Sequence, residues 1–244
     1  NTISTIPLVV EDYQSQIHYG LRSLCKDSYG KLWIGGHNGL FEFDIASKTF
    51  KNFQYRPDNP TSISSNVIWC IYEDRNKQLW IGTEGGGLNK FNRNTNDFKR
   101  YTSIPLDTLS ISNNNIRCIY EDNKGFLWIA TSSGLNKFDI KANSFKRFSK
   151  KQGLNNELIY SIAGNDDIFW MSTNGGIASF DVKSESFVNY FIKDGLQSNE
   201  FNQGAYYHNK KTGEIFFGGI NGLNYFISDN VKPNPQAPLI YITD

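Results

Sequence analysis

The sequence predicts an all-β chain assembled from repeated four-stranded units. A phrase centred on a large aromatic residue occurs five times, and its anchors are Trp33, Trp80, Trp128, Trp170 and Phe216. No stretch of the 244 residues shows sustained helical periodicity, whereas short β-rich runs alternate with turn residues. A spacing of about 40 to 50 residues is typical of repeat architectures in which each repeat is one structural unit.

The second copy shows the elements that each repeat contains. An inner strand is predicted from Ile68 to Glu73, and the turn Asp74-Arg75-Asn76-Lys77 leads into a Trp strand from Gln78 to Gly82. A third strand is predicted from Leu88 to Phe91 and an outer strand from Phe98 to Tyr101. Four strands and one Trp in a unit of this length are typical of a β-propeller blade. Helical repeats and a single sandwich do not account for the pattern.

The two ends of the chain depart from the repeat. After Phe226 the expected outer strand is missing, and Pro233, Pro235 and Pro238 form a stiff exit before an apolar run from Leu239 to Thr243. We therefore predict a propeller portion over residues 1–230, and a proline-rich exit with the first strand of a following β-sandwich over 231–244. The run from Thr5 to Val10 is predicted to be a strand, either the outer strand of a preceding blade or a strand that closes a ring with the last blade.

Composition favours a β domain whose charge balance does not indicate binding to a strongly charged partner. Aromatic residues make up 15% of the chain and charged residues 20%, and the formal net charge is +1. This balance gives no footprint for nucleic acid or for an acidic membrane surface. No apolar run approaches the roughly 18 residues that a membrane span needs.

Cysteine and histidine do not indicate a cofactor or metal. The three cysteines have no paired spacing, and Cys70 and Cys118 occupy the same repeat position, which favours buried free thiols. His18, His37 and His208 match no ligand pattern. We therefore predict neither a metal nor a cofactor.

The repeated phrase resembles a known family. The pattern D-x-x-G-x-L-W-I-G-T-x-x-G-L-x-x-F-D is strongest in Asp27 to Asp44 and Asp122 to Asp139, and is altered by an extra glycine near Glu84 and a shortened turn at Asn165. It is similar to the two-component regulator propeller repeat of periplasmic sensor regions in bacterial hybrid two-component systems. The turns also resemble the Asp-box of sialidases, which is itself structural.

The resemblance implies a location and partners. It implies a periplasmic sensor portion of an inner-membrane-anchored protein, followed in the parent chain by a β-sandwich and a histidine kinase. Family members usually carry larger, seven-bladed rings. Five copies therefore imply the C-terminal portion of one sensor, in which either the five blades close into a ring or the ring is incomplete relative to a seven-bladed parent.

Candidate binding residues are found where the repeats differ. One position near the start of each inner strand carries Arg22, Trp69, Arg117, Tyr160 and, as the fifth counterpart, Asn202. The loops after the Trp strands, with His37 and Glu84, are predicted to reach the same rim. Aromatic faces and planar donors suit sugar rings and carboxylates. The alternative is ordinary packing at the blade edge, with arginines that extend to solvent.

The sequence supports an enzymatic function less well than it supports ligand binding. A glycosidase would need facing carboxylates, for which Glu84, Glu157 and Glu200 are available, but none lies in a catalytic phrase. We therefore predict a non-enzymatic sensor for an oligosaccharide or another small polar ligand, with a glycan breakdown product as the expected signal. The alternative is a propeller scaffold for protein contacts, including a homodimer.

Overall fold

A computed structural model describes residues 20–165 and 167–231. The chain divides into two compact units, Asn1–Thr102 and Ser103–Asp244, which are described separately. The predicted strand from Thr5 to Val10 and the exit segment after Val231 lie outside the described residues. No described helix is long and apolar enough to cross a bilayer.

The first unit contains two four-stranded antiparallel sheets, which we call blades 1 and 2. Their strand orders are β1-β2-β3-β4 and β5-β6-β7-β8, so each sheet is a simple meander. In blade 1 the strands are β1 (Ser23–Lys26), β2 (Lys31–Gly35), β3 (Leu40–Asp44) and β4 (Thr49–Phe53). In blade 2 they are β5 (Ile68–Glu73), β6 (Leu79–Thr83), β7 (Leu88–Asn92) and β8 (Asp97–Tyr101).

The second unit contains blades 3, 4 and 5, of which the first two have four strands. Blade 3 comprises β9 (Ile116–Glu121), β10 (Leu127–Thr131), β11 (Gly134–Asp139) and β12 (Ser144–Phe148). Blade 4 comprises β13 (Ile159–Gly164), β14 (Ile168–Thr173), β15 (Gly176–Asp181) and β16 (Ser186–Tyr190). Blade 5 has three strands among the described residues, namely β17 (Phe201–Asn209), β18 (Glu214–Gly219) and β19 (Gly222–Ile227).

These elements confirm the all-β prediction and the prediction of five propeller blades. The strands of blade 2 agree with the sequence prediction to within one residue at each end. The described helices are three 3₁₀ segments of three residues each, at Lys150–Gln152, Ile192–Asp194 and Ser228–Asn230. Blade 5 thus shows three of the four strands of the repeat among the described residues, and the segment after Val231, where the sequence predicts no outer strand, lies outside them.

The Trp strand supplies the core of each unit. Trp33, Trp80, Trp128 and Trp170 are all at most 3% exposed. In the first unit Trp33 meets Phe91 of the next blade edge-on, with ring centroids 5.0 Å apart. In the second unit Trp128 meets Phe169 of the next blade at 4.8 Å. Phe216 differs, since it is only half-buried although it occupies the same repeat position.

The repeated Asp turn is tied to the Trp strand by the same pair of contacts in blades 1, 2 and 3. One carboxylate oxygen of Asp27 accepts the backbone N–H groups of Tyr29 and Lys31. The other oxygen accepts the indole N–H of Trp33 at 2.7 Å. Asp74 with Trp80 and Asp122 with Trp128 repeat this arrangement at 2.8 Å. The aspartates therefore hold the turn and satisfy the buried indole at the same time.

Blade 4 satisfies its indole differently. Its turn carries Asn165, whose side-chain oxygen accepts the backbone N–H groups of Asp167 and Ile168. The indole N–H of Trp170 instead donates to the hydroxyl of Ser228 at 2.9 Å. Ser228 lies just after β19, so the chain that leaves blade 5 completes the core of blade 4.

An ion-pair network joins the two blades of the first unit. Arg93, after β7, donates to Asp27 at 2.9 Å and to Glu73 at 3.1 Å, and its guanidinium lies 4.4 Å from the ring centroid of Tyr29. Burial of Asp27 raises its pKa. Hydrogen bonds from Trp33, from the backbone of Lys31 and from Arg93 outweigh that burial and leave the pKa below its usual value.

Loss of the Trp128 side chain is expected to lower the free energy of unfolding by ~3–5 kcal/mol, because a large buried aromatic side chain would leave a cavity. Phe216→Ala is the matched control, and its effect is expected to be clearly smaller because Phe216 is already half-buried. Chemical denaturation of both variants tests this, and an equal loss would contradict the assigned burial.

Acidification is expected to remove the contribution of Asp27. Because the folded pKa of Asp27 is depressed, its stabilisation is present above the unfolded pKa and is lost as the pH falls through the folded value. The stability difference between wild type and Asp27→Asn should therefore shrink between neutral pH and acid. Thermal melts across that range test this, and a difference independent of pH would contradict it.

Candidate functional site

The candidate residues occupy β-bulges in three consecutive inner strands. In blade 2, Ile68 pairs with Thr83 and Cys70 with Gly82, so Trp69 is the extra residue. The register shifts in the same way at Arg117 in β9 and at Tyr160 in β13. A bulge redirects a side chain that would otherwise follow the alternation of the strand. The varied repeat position is therefore also the position that the backbone singles out.

Buried neighbours hold each bulge in place. Ile68, Ile116 and Ile159 each precede a bulged residue and are 0% exposed. Trp69, Arg117 and Tyr160 themselves are half-buried. The isoleucines anchor the start of the inner strand, while the bulged side chains are left at the edge where the inner strand begins and the Trp strand ends. We call this edge of each blade its upper rim.

In the first unit, Arg22, His37 and Trp69 form one cluster. The guanidinium of Arg22 lies over the indole of Trp69, with its central carbon 4.0 Å from the ring centroid. Nε of Arg22 donates to Nε2 of His37 at 2.8 Å. Arg22 and His37 are exposed, so Arg22 and Trp69 form a cation–π stack at the surface. The planar guanidinium of Arg22 is the donor group of this stack.

Glu84 lies in the loop after the Trp strand of blade 2. Its backbone N–H donates to the carbonyl of Val67 at 2.9 Å, and the residue is exposed. The hydrogen bond fixes the loop beside the entry to β5, so Glu84 lies on the upper rim of the blade that carries Trp69.

In the second unit each bulged side chain reaches the loop after the Trp strand of its own blade. Nε of Arg117 donates to the hydroxyl of Ser132 at 3.4 Å. The hydroxyl of Tyr160 donates to Oδ1 of Asn174 at 3.2 Å. Burial raises the pKa of the Tyr160 hydroxyl, Arg117 opposes that rise and Glu200 adds to it. Tyr160 therefore stays protonated at neutral pH and can donate.

Blade 5 contributes a larger bulge that sequence reasoning did not identify. Phe201 pairs with Gly219 and Tyr206 with Phe217, so four residues of β17 lie opposite Gly218 alone. Asn202, the predicted fifth counterpart, is exposed within this bulge, and Gly204 adopts a φ of 74°. A glycine inside a strand pattern is the signal that could have predicted the bulge.

Gln203, also in this bulge, links the other two inner strands of the second unit. Its Nε2 donates to the backbone carbonyl of Arg117 at 3.0 Å and to that of Tyr160 at 3.4 Å. The same amide therefore contacts both bulged residues through their backbones. Gln203 positions the two candidate residues and was missed because it lies one place after the repeat position.

The asparagines that lead into the inner strands have structural partners. Side-chain oxygens of four of them accept backbone N–H groups of their own entry loops. The pairs are Asn66 with Tyr55, Asn114 with Ser103, Asn156 with Leu158, and Asn199 with Ile192. These amides therefore shape the loops.

The described residues do not form a cluster of metal ligands. Among residues 20–165 and 167–231, no group of three or more His, Cys, Asp or Glu side chains could hold a metal ion. His37 bonds to Arg22, while Nδ1 of His208 accepts the backbone N–H of Gly164 at 3.4 Å. The described rim residues offer hydrogen-bond donors, acceptors and aromatic faces.

Comparison with known sequences confirms the resemblance found in the repeats. The family described as two component regulator propeller matches residues 15–38, 62–85 and 110–133, each of which includes an Asp turn and a Trp strand. The fourth and fifth repeats lie outside the matched segments. No curated protein sequence matches the chain.

Solved structures of similar fold include two extracellular domains. The extracellular domain of a candidate hybrid two component system, BT4673 of B. thetaiotaomicron, is 26% identical with a TM-score of 0.74, and the match covers 87% of this chain and 30% of that one. The corresponding domain of BT3049 from the same organism is 23% identical with a TM-score of 0.77, covering 87% of this chain and 29% of that one. The chain thus spans about three tenths of these structures.

An enzyme also shares the fold. Virginiamycin B lyase from Staphylococcus aureus is 16% identical with a TM-score of 0.57, and the match covers 89% of this chain and 71% of the lyase. At this identity the likeness concerns the fold alone.

Replacement of Gln203 by Leu is expected to lower the free energy of unfolding by ~1–2 kcal/mol, because two partly buried carbonyls would lose their donor. Asn202→Ala, one residue away and exposed, is expected to change it by less than ~0.5 kcal/mol. Denaturant titration of both variants tests the assigned positioning role. Equal effects would contradict it.

Proposed function

From the two-component regulator propeller repeats of this chain, we propose that it is the sensory portion of an extracellular sensor in a hybrid two-component system. The similar domains of B. thetaiotaomicron belong to systems of this kind and support the proposal. The proposed location is the periplasm, with a following β-sandwich and a histidine kinase in the parent chain. The ligand event would pass to those parts.

The proposed ligand is an oligosaccharide released by glycan breakdown. The observation that carries this choice is the placement of Trp69, Arg117 and Tyr160 on bulges at the upper rims, beside donors and acceptors of neighbouring loops. An aromatic face stacks on the apolar side of a sugar ring, while guanidinium, phenol and amide groups bond its hydroxyls or a carboxylate. Polar loops without a helix N-terminus do not favour a phosphate ligand.

Each unit carries its own set of candidate contacts. In the first unit the Arg22 and Trp69 stack presents a flat cationic surface flanked by His37 and Glu84. In the second unit the Gln203 amide donates to the backbone carbonyls of Arg117 and Tyr160, and Asn202 precedes it in the bulge. Both sets combine hydrogen-bond donors and acceptors, as recognition of hydroxyl groups requires.

We infer a non-enzymatic role. Glu84 and Glu200 are exposed, and Glu157 accepts the backbone N–H of Lys150 at 3.4 Å, so its carboxylate serves the entry loop. The alternative function is a scaffold in which the same rims bind a partner domain or a second copy. Bulged aromatic and arginine residues also suit protein interfaces, so a binding experiment has to separate the two.

Calorimetric titration with a panel of purified oligosaccharides tests the proposal. Trp69→Ala and Arg117→Ala are each expected to weaken binding of the recognised sugar about tenfold to a hundredfold, since each removes a contact worth ~1–3 kcal/mol. Lys141→Ala, in the exposed turn between the third and outer strands of blade 3, is the matched control and should bind as wild type does.

Two further results of the titration separate the alternatives, namely the chemical state of the recovered sugar and the affinities of the variants. Mass spectrometry of the recovered sugar should show it unchanged, and a cleaved product would contradict the sensory role. Equal affinities for wild type, Trp69→Ala and Arg117→Ala would remove the site from these rims. Failure of every sugar together with self-association sensitive to Trp69→Ala would favour the scaffold.

A further inference from the structure

Two repeats place like charges directly opposite each other on neighbouring strands. In blade 2 the register pairs Lys90 of β7 with Lys99 of β8. In blade 3 it pairs Lys137 of β11 with Lys146 of β12. Side chains that are directly opposite in an antiparallel pair lie on the same face, and two like charges in this position destabilise the sheet. We call these the lysine pairs of blades 2 and 3.

The corresponding positions in the other blades show that the fold does not require lysines here. In blade 1 Glu42 lies opposite Lys51, so opposite charges face each other. In blade 4 the pair is Ser179 and Val188, neither of which is charged. Among blades 1 to 4, blades 2 and 3 alone carry two cations at this position. Sheet stability therefore does not account for the lysine pairs.

Each lysine pair borders a groove at the surface of its own blade. The grooves measure about 670 Å³ in blade 2 and about 680 Å³ in blade 3, which is typical of sites for small organic ligands. Four cationic residues and one acidic residue line each of them, namely Lys77, Lys90, Arg93, Lys99 and Asp97 in blade 2, and Lys137, Lys146, Arg147, Lys151 and Asp139 in blade 3. The net charge of +1 for the whole chain conceals this local excess.

Protein groups compensate part of this charge. Arg93 belongs to the ion-pair network of the first unit. The guanidinium of Arg147 donates to backbone carbonyls of the preceding loop. Lys146 pairs with Glu185 of blade 4 at 2.6 Å, although both side chains are largely exposed. The two arginines therefore shape the grooves, and the lysines of the third strands remain to be accounted for.

The third-strand lysines lie over aromatic rings. Nζ of Lys90 is 5.6 Å from the ring centroid of Trp80, and Nζ of Lys137 is 3.9 Å from that of Phe126. Among the residues that the structure describes, no carboxylate lies within ion-pair distance of either ammonium group. Both lysines are half-buried. Each groove therefore holds an ammonium group that has no counter-charge.

Amide and hydroxyl side chains complete the linings. They are Thr61, Gln78, Asn92 and Asn94 in blade 2, and Thr108, Ser144, Ser149 and Gln152 in blade 3. Such groups can exchange hydrogen bonds with the hydroxyls of a sugar. Phe91 and Phe98, which also line the blade 2 groove, are at most 4% exposed. This groove therefore offers polar contacts but no open apolar pocket for the side chains of a peptide.

The outer strands beside the grooves already have main-chain partners on their outer edge. The backbone N–H of Phe98 donates to the carbonyl of Thr61 at 2.8 Å, and that of Phe145 donates to the carbonyl of Leu109 at 2.9 Å. Addition of a peptide strand needs free N–H and C=O groups along an edge. The grooves are therefore better suited to a small anionic ligand than to an extended acidic peptide.

We propose that each groove binds an oligosaccharide that carries sulfate or carboxylate groups, with the lysine pair of its blade as the anion-binding element. An ammonium group is a compact point charge, and its hydrogen bonds to anions are charge-assisted. An anionic group between the two lysines would remove the repulsion within the pair, so binding would stabilise the folded chain. The choice of a glycan rests on the proposed function, whereas the anion site rests on the lysine pairs.

Thermal melts and calorimetry of the full chain test the proposal. Lys90→Glu and Lys137→Glu each reproduce the Glu–Lys pair of blade 1. Each is expected to raise the melting temperature of the unliganded protein, because it replaces a repulsion by an attraction. Each should also abolish binding in its own blade, and the double variant should abolish both sites. Lys211→Glu, the same charge change in an exposed turn of blade 5, is the matched control and should do neither.

The calorimetric probes separate the sources of the anionic group. They are a sulfated tetrasaccharide, an unsulfated uronate tetrasaccharide, a neutral tetrasaccharide, inorganic sulfate and a hexaglutamate peptide. Binding of either acidic tetrasaccharide, more tightly than the neutral one and lost stepwise in the lysine variants, supports the proposal. The rim proposal is tested by Trp69→Ala and Arg117→Ala, so failure of one proposal can be distinguished from failure of the other.

Three results would overturn the proposal. Equal affinity for the acidic and neutral tetrasaccharides, or binding of inorganic sulfate alone, would remove the glycan assignment. Tighter binding of the hexaglutamate peptide would assign the grooves to an acidic protein segment. Melting temperatures that are unchanged or lowered in both Lys90→Glu and Lys137→Glu would show that the lysine pairs carry no repulsion for an anion to relieve.

Discussion

The hydrogen bond between a turn aspartate and the indole six residues later is the contact on which each regular blade depends. It fixes the tight turn, satisfies a buried N–H group and orients the Trp ring toward the neighbouring blade in the same step. The ring then stacks on the outer-strand aromatic of its own sheet. The Trp side chain therefore takes part in strand pairing, in packing between blades and in closing the edge of its own sheet.

The Asp turns and the bulged residues lie at opposite ends of the inner strand, so residues on the upper rims can differ between repeats. The Asp turns lie where the inner strand ends, whereas the bulges lie where it begins, behind a fully buried isoleucine. A bulged residue can change between Trp, Arg and Tyr without disturbing the Asp–Trp contact. The variation among repeats is thus located at a position that the Asp–Trp contact leaves free to change.

Much of the fold could be predicted from the sequence because the repeat is local. The five anchors and the strand bounds of blade 2 followed from spacing and turn residues. The indole partner of the Asp turn was not predicted, although the constant spacing of Asp27 and Trp33, and of their counterparts, carried that information. Gln203 and the Ser228 contact were not predictable, because each depends on chain segments that meet only after the blades have formed.

The central claim is that the bulged residues contact ligand while the Asp–Trp anchors do not. Hydroxyl-radical footprinting of the full chain, with and without the sugar that binds in calorimetry, tests it most directly. The account predicts reduced oxidation of Trp69 and Tyr160 in the presence of the sugar, with unchanged oxidation of the exposed Tyr29 at the turn of blade 1. Unchanged labelling of Trp69 and Tyr160 under saturating sugar would contradict it.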